Sequence, residues 1–155
     1  MQMTGKFSHA YLIESPSQQA RESSARELAA ALVCSGEPER GKPCRSCRDC
    51  RKAFEGIHPD ILTVRQLNDS EGRPRREIYV DQVRALVLDA PVLPNEAARK
   101  VYVIEDADTM NRQAQNALLK LLEEPPAHLA LLLCVSNASA MLETIRSRCV
   151  LFSIN

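Results

Sequence analysis

Residues 101–126, VYVIEDADTMNRQAQNALLKLLEEPP, decide how the rest of the chain is read. The first four, Val101 to Ile104, make an apolar, β-branched run with the length of a buried strand. Three acids crowd its end: Glu105, Asp106 and Asp108. Beyond them Ala114, Ala117, Leu118, Leu121 and Leu122 recur at i, i+3, i+4, i+7 and i+8, which predicts a helix with one apolar face. Pro125 and Pro126 stop it, because proline cannot donate into the helical ladder and turns its predecessor away from the α region.

Working outward, the chain has 155 residues, enough for one domain with its own core. An apolar fraction of 45% and a charged fraction of 26% are those of an ordinary globular protein. Twenty basic and twenty acidic residues cancel, so no global field draws the chain to nucleic acid or to a membrane; any DNA contact is expected to be local or shared with partners. The first residues do not read as a basic-plus-apolar leader and no apolar run approaches membrane-spanning length, so the expected location is the cytoplasm, with no membrane partner. Six cysteines in that setting point to metal ligands or buried thiols rather than disulfides.

Residues 9–14, HAYLIE, predict a first strand, residues 15–19 a turn, and residues 20–33 a helix with Ala25, Leu28, Ala29 and Leu32 on one face. Cys34, Cys44, Cys47 and Cys50 follow, the last three spaced C-x2-C-x2-C. That spacing lets thiolates from a tight turn converge on one ion, and four thiolates complete a closed tetrahedral shell, the pattern of a structural rather than catalytic Zn²⁺ site. An iron–sulfur run would need a fourth cysteine three residues on, followed by proline, where Arg51, Lys52 and Ala53 stand instead. His58 is an alternative fourth ligand to Cys34, although HPD reads better as a turn into the next strand. Arg45, Arg48, Arg51 and Lys52 around the cysteines are either contacts for phosphate or an acidic partner, or a solvated basic loop balancing thiolate charge. Residues 60–64 predict a second strand. Residues 66–77, with Gly72 and Pro74, predict a mobile polar loop; Asp81 reads as the N-cap of a helix with Val83, Leu86, Val87 and Ala90 on its apolar face. A long apolar strand lies within residues 128–135, with Cys134 buried in it and Ser136-Asn137 ending it; residues 141–148 predict a short helix before a last strand, VLFSI. Alternating strands and helices argue for an α/β fold, a parallel sheet with helices on both faces.

NALLKLLEEPP after an acid-tipped strand, the four-cysteine module, and Ser147-Arg148-Cys149 together resemble the AAA+ domain of bacterial DNA polymerase III clamp-loader subunits. The resemblance runs from about residue 7 to residue 152. It implies a three-layer, P-loop-type five-stranded sheet of order 5-1-4-3-2, carrying an inserted zinc module at about residues 34–58. The lid and collar domains of that family would lie outside residues 1–155. Placing the family's nucleotide loop on this chain puts Ser15 and Ala20 at its glycines, Arg21 at its lysine and Glu22 at its hydroxyl residue. Glycines let backbone N–H groups close around phosphate, the lysine reaches phosphate oxygens and the hydroxyl holds Mg²⁺, so the substituted loop is expected to bind no ATP. The Walker B comparison gives Glu105 for the magnesium-side Asp and Asp106 for the catalytic Glu, an inverted pair that otherwise reads as acids solvating a strand end. Ser136 or Asn137 falls at the family's phosphate sensor.

The broken loop, with GIHPD and YVDQVR, selects the δ′ branch over the γ/τ branch, and with it a subunit that is not itself an enzyme. The resemblance further implies that Arg148, within Ser147-Arg148-Cys149, is an arginine finger acting in trans; on spacing alone it would only neutralise a helix C-terminus. Implied partners are the γ/τ and δ subunits, with the sliding clamp and primer–template DNA within the assembly; the isolated domain is expected to be a monomer. The competing readings are an active P-loop ATPase subunit of γ/τ type, and a zinc-knuckle module binding nucleic acid through Arg45, Arg48 and Arg51.

Overall fold

The structure, a computed structural model, describes residues 7–73 and 75–155. Pro74 of the expected mobile loop lies outside the described residues, as do residues 1–6, on which the absence of a leader is read. Among the described residues the strands are β1 (Ala10–Glu14), β2 (Ile61–Val64), β3 (Lys100–Ile104), β4 (Leu129–Val135) and β5 (Val150–Ser153). They form one all-parallel sheet in the order β2-β3-β4-β1-β5, the expected 5-1-4-3-2.

Side chains alternate across a strand, so each strand feeds two apolar layers. Leu12, Tyr102, Ile104, Leu131 and Leu133 face α3 (Val80–Asp89), α4 (Arg112–Glu123) and the short α5 (Glu143–Arg146). Tyr11, Ile13, Val103, Ala130 and Leu132 face α1 (Gln18–Val33) and α2 (Arg48–Glu55). Covered on both sides, β3 and β4 are buried at every residue, which is why they read as continuous apolar runs. At the edge of the sheet, β5 leaves Val150 and Leu151 exposed.

Local chemistry sets the helix ends. Ser17 caps α1 by accepting from the Ala20 N–H (3.2 Å), so the helix begins two residues before the expected start. Asn111 caps α4 in the same way through Ala114 N–H (2.8 Å). The N-cap of α3 is Tyr79 rather than Asp81: the Gln82 side chain accepts from Tyr79 N–H (3.1 Å), and Asp81 lies inside the first turn, where a carboxylate still suits the helix dipole. The expected helix over residues 141–148 contracts to α5. The cysteine module, expected as loop, contains α2, which starts from Cys47 and ends at Gly56 in the left-handed region (φ 74°).

The module is tied to the sheet by a buried polar chain. His58 donates from Nε2 to Asp49 Oδ1 on α2 (2.8 Å) and accepts the Asp60 N–H at Nδ1 (3.0 Å). The Asp60 carboxylate in turn accepts backbone N–H groups of Asn95, Glu96 and Ala97. Burial pushes this carboxyl upward, but the three backbone donors outweigh it and hold Asp60 below its ordinary 3.8. A depressed folded-state value stabilises the fold above pH 3.8, and that contribution is lost as pH falls through the folded value. Asp60→Asn is therefore expected to cost about 2 kcal/mol at pH 7 in urea unfolding, with the gap to the parent chain narrowing as pH falls below 3.8. A gap independent of pH would show that the charge at Asp60 is not what the backbone groups recognise.

Candidate functional site

In a parallel sheet every segment that follows a strand lies at one edge. The residues expected at a nucleotide site meet there. Ser15, buried after β1, donates its N–H to Val135 O (3.1 Å), and its Oγ accepts the Ser17 N–H (3.2 Å). Arg21 is in the first turns of α1, yet is only 8% exposed. Its Nη1 donates to Ser15 O (2.6 Å), and its Nη2 stands 3.4 Å from Asp106 Oδ1. Glu22 is exposed and accepts from Gln18 (2.8 Å), while Ala20 is half-buried at the helix start.

Glu105 and Asp106 follow β3. Asp106 takes a left-handed backbone (φ 49°), a conformation that aspartate tolerates better than most residues, and its carbonyl accepts from Thr109 N–H and Oγ1. Glu105 pairs with Arg65 at 3.4 Å. Burial raises its carboxyl; Arg65 pulls it back, and the charges of Glu22 and Asp106 add to the rise. Beyond β4, Ser136 donates from N (3.2 Å) and Oγ (2.7 Å) to Asp108 Oδ2, and Asn137 caps the next turn through Ser139 N–H (3.0 Å). A cleft of about 280 Å³ opens beside these groups, rimmed by Arg21, Arg26, Arg65, Glu22, Glu105 and Asp106 and floored by α1 alanines, Val103 and Cys134. Cys134 is buried, as expected, and burial pushes its thiol up to about 12.

The Sγ atoms of Cys34, Cys44, Cys47 and Cys50 all lie within 4.8 Å of one another, a set able to hold a metal ion. The Cys44–Cys50 and Cys34–Cys47 separations are both 4.0 Å. A tetrahedron of thiolates around Zn²⁺ has edges of about 3.8 Å, so the donors fit that ion. Backbone N–H groups of Gly36, Cys47 and Cys50 point at the sulfurs of Cys34, Cys44 and Cys47 (3.3–3.4 Å). Against the upward push of burial, N–H donors from Ser46 and Cys47 bring the Cys44 thiol down to about 6, so one ligand is already near its thiolate form at neutral pH. A Cβ on Gly36 would sit 2.8 Å from Cys44 Sγ, which explains a glycine at that point of the cradle. His58 is no fourth ligand here, since both its ring nitrogens are engaged elsewhere. Arg45 pairs with Glu27 and lies over the Phe54 ring, and Lys52 pairs with Glu96 (2.7 Å), so two of the four basic residues are held within the chain.

Arg148 lies at the opposite edge, after α5 and before β5. It is exposed; Nη1 donates to Thr144 O (2.8 Å) and Nη2 pairs with Glu123 at the end of α4 (3.1 Å). Ser147 is exposed beside it and donates to Thr144 O (3.1 Å). Cys149 packs half-buried against the core, its thiol raised to about 11 by burial. Two features escaped the sequence reading: the Arg21–Asp106 contact, which joins residues 85 positions apart, and the Asp49–His58–Asp60 chain, whose one visible signal was HPD directly before a strand.

The chain is similar to known proteins over most of its length. The family model described as DNA polymerase III, delta subunit, matches residues 1–155. The DNA polymerase III subunit delta' of Pseudomonas aeruginosa is 39% identical over 145 residues, covering 94% of this chain and 42% of that protein. The DNA polymerase III subunit gamma of Buchnera aphidicola subsp. Schizaphis graminum is 32% identical over 154 residues, covering 97% of this chain and 39% of that protein. The chain thus spans about two-fifths of the length of these relatives. The crystal structure of a DNA polymerase III gamma subunit-related protein from Thermotoga maritima superposes with a TM-score of 0.65 at 24% identity, over 96% of this chain and 41% of that one. With the observed strand order, that likeness makes the fold an AAA+ one.

Proposed function

The chain belongs to the DNA polymerase III delta subunit family, and from that premise we propose that it serves the clamp loader as a non-hydrolysing subunit of the δ′ kind, lending Arg148 to ATP held by a neighbouring γ/τ-type subunit. The observation that carries this reading is the placing of Arg148. It is exposed at the edge where β5 begins, whereas Ser15, Arg21, Glu105 and Asp106 lie where β1 and β3 end. A guanidinium at that edge is out of reach of its own chain's loop but open to a second protomer.

The chemistry suits the role. Phosphoryl transfer spreads charge over equatorial oxygens, and a planar guanidinium fork can pair with two of them at once. The pair with Glu123 is partly solvated, so it holds the arginine weakly and can be exchanged for phosphate. The chain's own loop supports the other half of the reading. It puts Cβ atoms at Ser15 and Ala20 where phosphate would need bare backbone, and a carboxylate at Glu22 where Mg²⁺ and phosphate would need a hydroxyl. The γ/τ and δ subunits, the sliding clamp and primed DNA are the partners that such a role entails.

We read the four cysteines as a Zn²⁺ site. With four protein ligands and no open position it is closed, and zinc there would fix the fold of the module rather than activate water. One equivalent of zinc is expected by elemental analysis of protein purified without added metal, lost in Cys47→Ser together with thermal stability; a metal-free, equally stable protein would contradict this. For Arg148, the expected result is that Arg148→Ala, in a reconstituted loader, lowers DNA-stimulated ATP turnover by about 10³-fold at that subunit boundary while leaving the melting temperature of the variant chain within a few degrees of the parent. Unchanged turnover would leave Arg148 only its contacts within the chain, with Thr144 on α5 and Glu123 on α4.

A further inference from the structure

We infer that Arg21 is an internal stand-in for a bound ligand: by bridging Ser15 and Asp106 it locks the β1–α1 turn onto the end of β3, so that this site keeps one conformation whether or not nucleotide is present. The inference rests on reading the site as a nucleotide pocket that has gone out of use.

A residue in the first turns of a helix that follows a turn usually reaches into solvent, and arginine is rarely buried without partners. Arg21 is nine-tenths buried, and it spends its two terminal nitrogens on one carbonyl and one carboxylate of its own chain. The carbonyl belongs to the turn where the phosphate loop would be, and the carboxylate to the position after β3 where Mg²⁺ chemistry would be. The contact therefore spans the gap that a nucleotide and its cation fill in a working site.

Arg21 also belongs to a wider set of cross-links. Arg65, just after β2, pairs with Glu105, just after β3. Asp108 beyond β3 accepts both donors of Ser136 beyond β4. Glu14 at the end of β1 accepts the Ala138 N–H beyond β4 (2.6 Å) and the Ser153 hydroxyl at the end of β5 (3.0 Å). With Arg21 joining β1 to β3, the carboxyl ends of all five strands are connected by side chains of the chain itself. In proteins that switch with nucleotide, this edge is held by phosphate and metal contacts and relaxes when they are lost. Here the contacting groups belong to the chain itself and cannot diffuse away. Removing Arg21 would also leave Glu22, Glu105 and Asp106 near one another with one cation fewer, so the turn and the end of β3 should separate.

Hydrogen exchange on the full chain, without nucleotide, tests this. Arg21→Ala is expected to speed exchange of the amides at residues 15–21 and 105–110 by about tenfold or more, with the interiors of α3 and α4 unchanged. Asp106→Asn, which keeps size and removes charge, should speed the same amides, and the double variant should exchange no faster than Arg21→Ala alone, because Arg21→Ala already removes the ion pair that Asp106→Asn weakens. If Arg21→Ala does not fold, Asp106→Asn decides: acceleration confined to the two segments supports the lock. Unchanged exchange there, or acceleration spread evenly over the sheet, overturns it. Since no nucleotide is added, that failure would leave the reading of Arg148 untouched, and unchanged ATP turnover in Arg148→Ala would leave the lock untouched.

Discussion

All five strands run the same way, and that single constraint separates the chemistry of this molecule into two edges. Whatever follows a strand collects at the carboxyl edge: Ser15, Glu105, Asp106, Ser136. Whatever precedes one collects at the other, where Arg148 and Glu123 meet. The polarity comes from the βαβ connections, since a parallel neighbour requires each crossover helix to return the chain to its starting edge. A residue that ends a crossover is then carried far from one that begins it. For an arginine proposed to act on another subunit's nucleotide, that distance from its own loop is the physical basis of acting in trans.

Burial of charge is the second theme. Arg21, Asp49, His58, Asp60 and Lys100 are all buried, and each has a hydrogen-bonding or charged partner within the chain. Isolated ionised groups in such places would cost several kcal/mol each, so each marks a point where the fold depends on particular bonds rather than on apolar area. Two of these points matter for function. The Asp49–His58–Asp60 chain holds the cysteine module against the start of β2, so that the fold of the module and the packing of the sheet edge support each other. The Arg21 contact holds the turn after β1 against the end of β3.

Much of the architecture was legible because it rests on local patterns. The apolar runs of β1, β3 and β4, the heptad-like face of α4 and its proline stop fixed the order of elements, and the resemblance carried strand order. The cysteine spacing was legible because a metal knuckle needs ligands close in sequence as well as in space. Helix α2 was not: Arg48, Arg51 and Lys52 read as a basic loop, and it is the buried Asp49, Cys50 and Ala53 that give the stretch an inward helical face. Asp81 was a plausible cap by residue type, but the backbone turned into the helix two residues earlier. Arg21 reads in sequence simply as a lysine replaced. That its guanidinium is buried and bonded to Asp106, 85 residues away, follows from strand adjacency of β1, β4 and β3, which local pattern does not encode.

The most direct measurement of the central claim, that this domain acts on a neighbour's nucleotide and not on its own, is calorimetric titration of Mg·ATP into the isolated chain. The expected result is no saturable heat up to about 1 mM nucleotide, the scale of a few kcal/mol of binding energy. A saturable isotherm with micromolar affinity, abolished by Asp106→Asn, would contradict it and place a working nucleotide site at the carboxyl edge of the sheet.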